Sequence, residues 1–105
     1  MLNVLAFEVC GSSGSHFNPL NETHGDIHAD TRHVGDYGNV VNENGEIHAT
    51  FTDELSQLYG PFGVIGRTVV LHQLEDDLGL KGDNGSLTTG NAGARIACGV
   101  IGIAK

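Results

Sequence analysis

TVVLH, residues 68–72, carries the clearest secondary-structure signal in the chain, because an unbroken run of β-branched and aliphatic residues is typical of a strand. The closing segment, residues 95–103 (RIACGVIGI), has the same character. The first nine residues, MLNVLAFEV, read as the start of a strand in which Asn3 and Glu8 interrupt the apolar run. They lack the basic flank of a signal peptide, which favours the cytoplasm.

A hairpin is predicted at residues 38–52. Asn42-Glu43-Asn44-Gly45 supplies an Asn-Gly turn, and Ile47, Ala49 and Phe51 alternate with polar residues after it. Two long polar, Gly-rich stretches, residues 10–36 and 73–94, separate the predicted strands. Loops of this length are uncommon in a compact domain unless they are functional or tied down. We therefore expect an all-β domain of about four strands with two functional loops.

Composition limits the size and the partners of the protein. The 105 residues suffice for one domain, residues 1–105, and carry 13 acidic against 5 basic side chains, for a net charge of -8. This balance argues against binding nucleic acid and against an electrostatic grip on an anionic membrane. No run of 18 apolar residues exists, so a membrane-spanning helix is not expected.

The first long loop holds a candidate metal site. His16, His24 and His33 are spaced by eight and nine residues, and Asp36 follows three residues after the last. Three imidazoles and one carboxylate form a suitable tetrahedral zinc set, which would help to fold a loop that has little apolar periodicity. From the spacing alone, a zinc site and a polar loop that is simply rich in histidine are about equally good interpretations.

Other candidates are open to two interpretations from the residues alone. His72 at a strand end is more often a core or surface residue than a ligand. Asp76 lies in an acidic loop, or it orients a ligand histidine from behind. Arg95 begins a strand as a surface residue, or it binds an anion. His28 and His48 are expected at the surface.

Five blocks of this sequence resemble the copper/zinc superoxide dismutase family. They occur in the family's order and span about nine-tenths of the chain. The blocks are GSHFNPLNETHG (14–25), RHVGDYGNVV (32–41), IGRTVVLH (65–72), EDDLG (75–79) and TGNAGARIACGVIGIAK (89–105). The resemblance implies a Greek-key β-barrel and the dismutation of superoxide to oxygen and hydrogen peroxide at copper and zinc.

The resemblance also implies a set of metal ligands. His16 matches the imidazole that bridges the two metals, and it belongs to the catalytic set. His24, His33 and Asp36 match the remaining zinc ligands, and His72 matches a copper ligand.

Further roles follow from the same likeness. Asp76 matches the carboxylate that links the zinc and copper sides, and Arg95 matches the catalytic guanidinium that guides superoxide. Thr89 matches the threonine that narrows the channel. Cys10 and Cys98 match the intrasubunit disulfide, and a homodimer or self-association is implied.

The chain departs from the family at its beginning. Family members have several strands before the first cysteine, including a motif with two further copper histidines, whereas only nine residues precede Cys10 here and none is histidine. We therefore expect an incomplete barrel that retains zinc binding and has impaired turnover. The alternative is a catalytically silent zinc-binding module that associates with a partner chain.

Overall fold

The computed structural model describes residues 1–5 and 14–104. Within these ranges the chain forms three strands and one short helix. They are β1 (Leu2–Leu5), β2 (Thr68–His72), α1 (Asn84–Thr88) and β3 (Arg95–Val100). The strands form one antiparallel sheet in the order β1-β2-β3. This confirms the all-β class and the strand at residues 68–72, which lies at the centre of the sheet.

The register of the sheet places the two ends of the sequence on either side of β2. Asn3 of β1 pairs with Val70, which in turn pairs with Cys98 of β3. An irregularity between Leu71 and His72 shifts the register, so that His72 lies opposite Arg95. A candidate ligand on the central strand, His72, thus lies beside a candidate anion-binding residue on β3, Arg95.

The free edge of β1 is covered by the first long loop. The backbone N–H of Val4 donates to the carbonyl of Gly35 at 2.8 Å, and the N–H of Phe17 donates to the carbonyl of Val4 at 2.8 Å. A side chain at Gly35 would run into the Val4 carbonyl, so only glycine allows this approach. The loop is thereby pinned along a strand at both ends of its candidate metal site.

A small apolar cluster supports this arrangement. Its buried members are Val4, Phe17, Val34 and Val64. The guanidinium of Arg67 stacks over the ring of Phe17, 3.6 Å from its centroid. A cluster this small leaves much of the ordering of the loop to polar contacts.

The predicted hairpin at residues 38–52 is correct only in its turn. Glu43 and Glu46 pair through backbone hydrogen bonds of 2.8 and 3.0 Å around Asn44 and Gly45, which both have positive φ. The flanking segments form no strand, and the alternating residues 47–52 are exposed. The expectation of a fourth strand was wrong, because an alternating pattern makes a strand only where a sheet partner covers its apolar face.

The helix α1 lies inside the second stretch, residues 73–94, where only a loop was expected. The Asp83 carboxylate caps it by accepting the backbone N–H of Ser86 at 2.7 Å. No helix in the described part of the chain is long and apolar enough to cross a membrane.

One ion pair ties the first loop to the region after the turn. Arg32 donates to Asp53 at 2.7 Å and also to the backbone carbonyls of Ile27 and Val34. Both side chains are less than a tenth exposed. Burial by itself would raise the pKa of Asp53, but the hydrogen bonds from Arg32 and Ser56 outweigh burial and lower it.

We expect Asp53→Asn to lower the free energy of unfolding by about 3 kcal/mol at pH 7, because it leaves the buried Arg32 without its partner. The pKa of Asp53 is lower in the folded chain, so the pair stabilises above the ordinary carboxyl pKa and loses its effect as the pH falls. Urea denaturation at pH 7 and at about pH 2.5, which is below the ordinary carboxyl pKa of about 3.9, should show the variant's deficit shrinking with acid. Asp30→Asn, at an exposed position, is the control, and equal midpoints at pH 7 for both variants would contradict this assignment.

Candidate metal centre

The four residues of the first loop converge on one point. His16, His24, His33 and Asp36 are all buried, and one ligand atom from each lies within 4.8 Å of the others. The shortest separations join Nδ1 of His16 to Oδ1 of Asp36 at 2.8 Å and Nδ1 of His24 to Oδ2 of Asp36 at 3.0 Å. The long spacing in sequence therefore becomes a compact donor set in the fold.

The Asp36 carboxylate is the hub of this cluster. Besides the imidazoles, it accepts the backbone N–H groups of His33 at 2.8 Å and Gly25 at 3.1 Å. Burial by itself would raise the pKa of Asp36, but hydrogen bonds with the three histidines outweigh burial and lower it strongly. The carboxylate thus keeps its negative charge in a buried place.

The histidines respond differently to the same surroundings. Burial is the main influence on His16 and lowers its pKa, although Asp36 acts against it. Burial also opposes the charged form of His24, but hydrogen bonds with Asp36 and Asp76 prevail and raise its pKa to about 9. Asp36 and Asp76 together make the surroundings of His24 favourable for a positive charge.

The donor set fits a zinc ion. Tetrahedral zinc with bonds of about 2 Å requires ligand atoms about 3.3 Å apart, close to the 3.0 Å of the His24–Asp36 pair and the 3.3 Å between Nδ1 of His33 and Nδ1 of His16. Nδ1 of His24 is buried and lies 3.0 Å from Oδ2 of Asp36, so it faces the carboxylate and the other donors. A buried ring nitrogen that faces three other donor residues is what a metal ligand requires.

Asp76 contacts His24 on the ring nitrogen that faces away from Asp36, and Asn39 holds Asp76 in turn. Oδ1 of Asp76 lies 2.6 Å from Nε2 of His24, as expected of a residue that orients a ligand. Asn39 holds the backbone of Asp76 at both its N–H, 2.7 Å, and its carbonyl, 3.0 Å. The other oxygen, Oδ2, is buried and has no partner among the described residues. Among residues 1–5 and 14–104, His24 is thus the one candidate ligand that the Asp76 carboxylate contacts.

Gly90 leaves room for this pair. A side chain there would collide with both Oδ1 of Asp76 and Nε2 of His24, and the residue has a φ of +71°. Neither Gly90 nor Asn39 is predicted from the sequence to be a site residue. Their only signal is that each lies inside a block of family resemblance.

His16 also meets His72, on the side away from the cluster. Nε2 of His16 and Nε2 of His72 lie 2.7 and 3.0 Å from Nδ2 of Asn3, a buried residue of β1. Only two histidine nitrogens converge here within residues 1–5 and 14–104, and an amide lies between them. This set does not fit copper, which favours several imidazole ligands. Asn3 was noted in the sequence only as a polar break in an apolar run.

The remaining candidates lie around this second point. Arg95 is exposed and donates to the carbonyl of Gly14 at 2.6 Å. Burial is the main cause that lowers the pKa of His72, and the charge of Arg95 acts in the same direction. Thr89 is exposed at the end of α1, where its N–H donates to Gly85 at 2.9 Å.

Two histidines and two cysteines are the remaining residues with a prediction from the sequence. His28 and His48 are exposed, as predicted. Cys98 lies on β3, whereas Cys10 falls outside the described residues. Their pairing therefore stays a prediction.

Taken together, the fold and the site define a metal-binding protein built on an antiparallel sheet, with a buried three-histidine, one-aspartate centre. The family model for copper/zinc superoxide dismutase (SODC) matches residues 5–101. The chain belongs to the copper/zinc superoxide dismutase family, whose members use copper and zinc.

Individual relatives agree with this assignment. A copper-zinc superoxide dismutase of Neurospora crassa is 57% identical over 97 residues, covering 91% of this chain and 63% of the relative. One from Xenopus laevis is 55% identical, covering 89% and 62%. The crystal structure of the clock protein EA4 superposes with a TM-score of 0.94 at 47% identity, covering 98% of this chain and 69% of that one. The chain spans less than two thirds of the length of the Neurospora crassa and Xenopus laevis relatives.

We expect Asp36→Asn to abolish uptake of one zinc equivalent at micromolar concentration, because the amide removes the charge that faces three imidazoles. Cobalt substitution followed by visible spectroscopy measures this, since tetrahedral cobalt absorbs strongly. The exposed Asp30→Asn serves as the control and should keep the signal. An unchanged cobalt spectrum in the Asp36 variant would show that the four residues are not a metal site.

We expect Gly90→Ala to weaken zinc binding by about 10–100-fold, because the methyl group displaces Asp76 from His24. Gly82→Ala is a matched control, since Gly82 also has a positive φ, +77°, but has open space at the Cβ position. Competition with a chromophoric chelator measures both affinities. Equal losses in the two variants would mean that backbone strain, and not the His24–Asp76 contact, causes the effect.

Proposed function

We propose that the protein removes superoxide radicals by dismutation, and that this chain contributes its zinc-binding part. The observation that carries the proposal is the buried cluster of His16, His24, His33 and Asp36, in a chain that belongs to the family. In the reaction, two superoxide anions and two protons give one oxygen and one hydrogen peroxide. One superoxide is oxidised and the other reduced, so the net electron count is unchanged.

Zinc can serve this reaction only as a structural partner. It has no accessible second oxidation state, whereas copper, when bound, would supply the one-electron oxidation and reduction. Within residues 1–5 and 14–104, His16 and His72 are the two histidines whose ring nitrogens converge on that side. We therefore propose that these 105 residues by themselves retain zinc and turn superoxide over slowly.

Arg95 is proposed to attract the substrate anion. It is exposed on the strand next to His72, so its positive charge reaches solvent beside the point where His16 and His72 meet. The chain as a whole carries a net charge of -8, which repels an anion. Attraction therefore has to be local to this guanidinium, with exposed Thr89 proposed to border the approach.

Three further features belong to the proposal. A disulfide between Cys10 and Cys98 is supported by the family likeness and by the absence of a free cysteine among the described residues. A homodimer is proposed on the likeness alone. The cytoplasmic location stays a prediction, and one relative, from Drosophila melanogaster, is named an extracellular superoxide dismutase.

The second candidate function is a silent zinc module that associates with another copy of the chain. The observation that favours it is the exposure of β3 along its whole length, with Ile96 and Val100 60% and 57% exposed. An uncovered strand with apolar side chains is a template for pairing with another chain. A stable monomer in analytical ultracentrifugation would contradict this candidate.

We expect the zinc- and copper-loaded chain to scavenge superoxide at least about a hundredfold more slowly than the Neurospora crassa relative. Loss of a single outer partner already costs a metal site about 10–100-fold, and only two histidines converge on the copper side among the described residues. Cytochrome c competition at low and high salt measures the rate. Arg95→Ala should lower the residual rate and its salt dependence, whereas the conservative Arg95→Lys should retain most of both. A rate equal to that of the relative would contradict the proposed impairment.

A further inference from the structure

The amide of Asn3 fits the space between His16 and His72. Nδ2 has two hydrogens, and two ring nitrogens face it, Nε2 of His16 at 2.7 Å and Nε2 of His72 at 3.0 Å. In the metal-free chain, where Nδ1 of His16 donates to Asp36, each hydrogen can serve one nitrogen lone pair. The donors and the acceptors match in number.

The proton on His72 is on the other ring nitrogen. Nδ1 of His72 donates to the carbonyl of Gly93 at 3.0 Å, and a carbonyl oxygen can only accept. In the neutral ring, Nε2 then presents its lone pair to Asn3. The amide thus uses a lone pair that a metal ion would need.

The amide and a metal ion cannot share this place. A metal–imidazole bond is about 2.0–2.1 Å long, so an ion bound to both nitrogens would have to lie between them, where Nδ2 already lies within 3.0 Å of each. One of the two must leave before the other can bind.

The surroundings hold Asn3 in position. Its backbone pairs with Val70 on one side and forms a bridge to Asp36 on the other, and the side chain has no exposed surface. The remaining oxygen, Oδ1, is buried without a hydrogen-bond partner. The two histidines are therefore the polar contacts of this side chain among the described residues, and no route to solvent competes with them.

We infer that Asn3 occupies the second metal position of this chain, as a built-in amide that replaces the ion between His16 and His72. The chain then takes up one zinc ion at the four-residue cluster and resists copper at His72. This inference rests on the zinc site of the proposed function and deepens it. It makes Asn3 the residue that selects one metal over two.

The test uses zinc-loaded chain titrated with copper(II). Asn3→Asp keeps the shape of the side chain but offers a carboxylate ligand, and Asn3→Ala removes the amide. We expect both variants to bind copper at least about tenfold more tightly than the wild type, because the ion no longer has to displace the amide that lies between the two ring nitrogens. Nitrogen hyperfine structure in electron paramagnetic resonance should report two imidazole ligands. The exposed Asn84→Ala is the control and should behave as the wild type does.

His72→Ala in the Asn3→Asp background identifies the site, because copper held between His16 and His72 should lose the gained affinity. Wild-type chain that binds copper through His72 as tightly as the two Asn3 variants would overturn the inference. So would Asn3 variants that gain no affinity while still holding one zinc ion. A wild-type chain that takes up no zinc would instead contradict the proposed function, so the two failures are distinct. If Asn3→Ala does not fold, Asn3→Asp decides the outcome.

Discussion

The charge of Asp36 organises this protein more than any apolar contact does. Its carboxylate is fully buried, faces three imidazoles and accepts two backbone N–H groups. A buried charge without partners is very costly, so every segment that supplies a partner is held in place by it. The backbone of Asp36 also bridges to Asn3 of β1. The first long loop, which has few apolar residues, therefore folds around an anion and along a strand.

His16 divides the site into two unequal halves. Its Nδ1 faces the carboxylate and the other histidines, where four donors fit one ion. Its Nε2 faces Asn3 and His72, where an amide takes the central place. One imidazole thus belongs to both halves, and the chemistry of each half depends on what the other side of the ring contacts.

The two edges of the sheet also differ, because one is covered by the chain and the other is exposed. β1 is covered by the first loop and β2 lies between two strands, whereas β3 is exposed along its length. Buried polar contacts hold the metal side together, while apolar residues of β3 are left in contact with water. Such exposure matters because domains are only marginally stable. The free energy that a few uncovered apolar side chains fail to contribute is a large part of a domain's free energy of unfolding.

Sequence by itself determined the strands at both ends and at residues 68–72, the donor types of the metal site, and the family, since these depend on local composition and on quoted motifs. Only the tertiary structure decided that the apolar alternation of residues 47–52 makes no strand, and that Asn3 lies between His16 and His72. The physical reason is the same in both cases. Strand pairing and close polar contacts depend on which distant segments meet. The residue type at one position, such as Asn3, does not indicate that its partner is His72, 69 residues further along the chain.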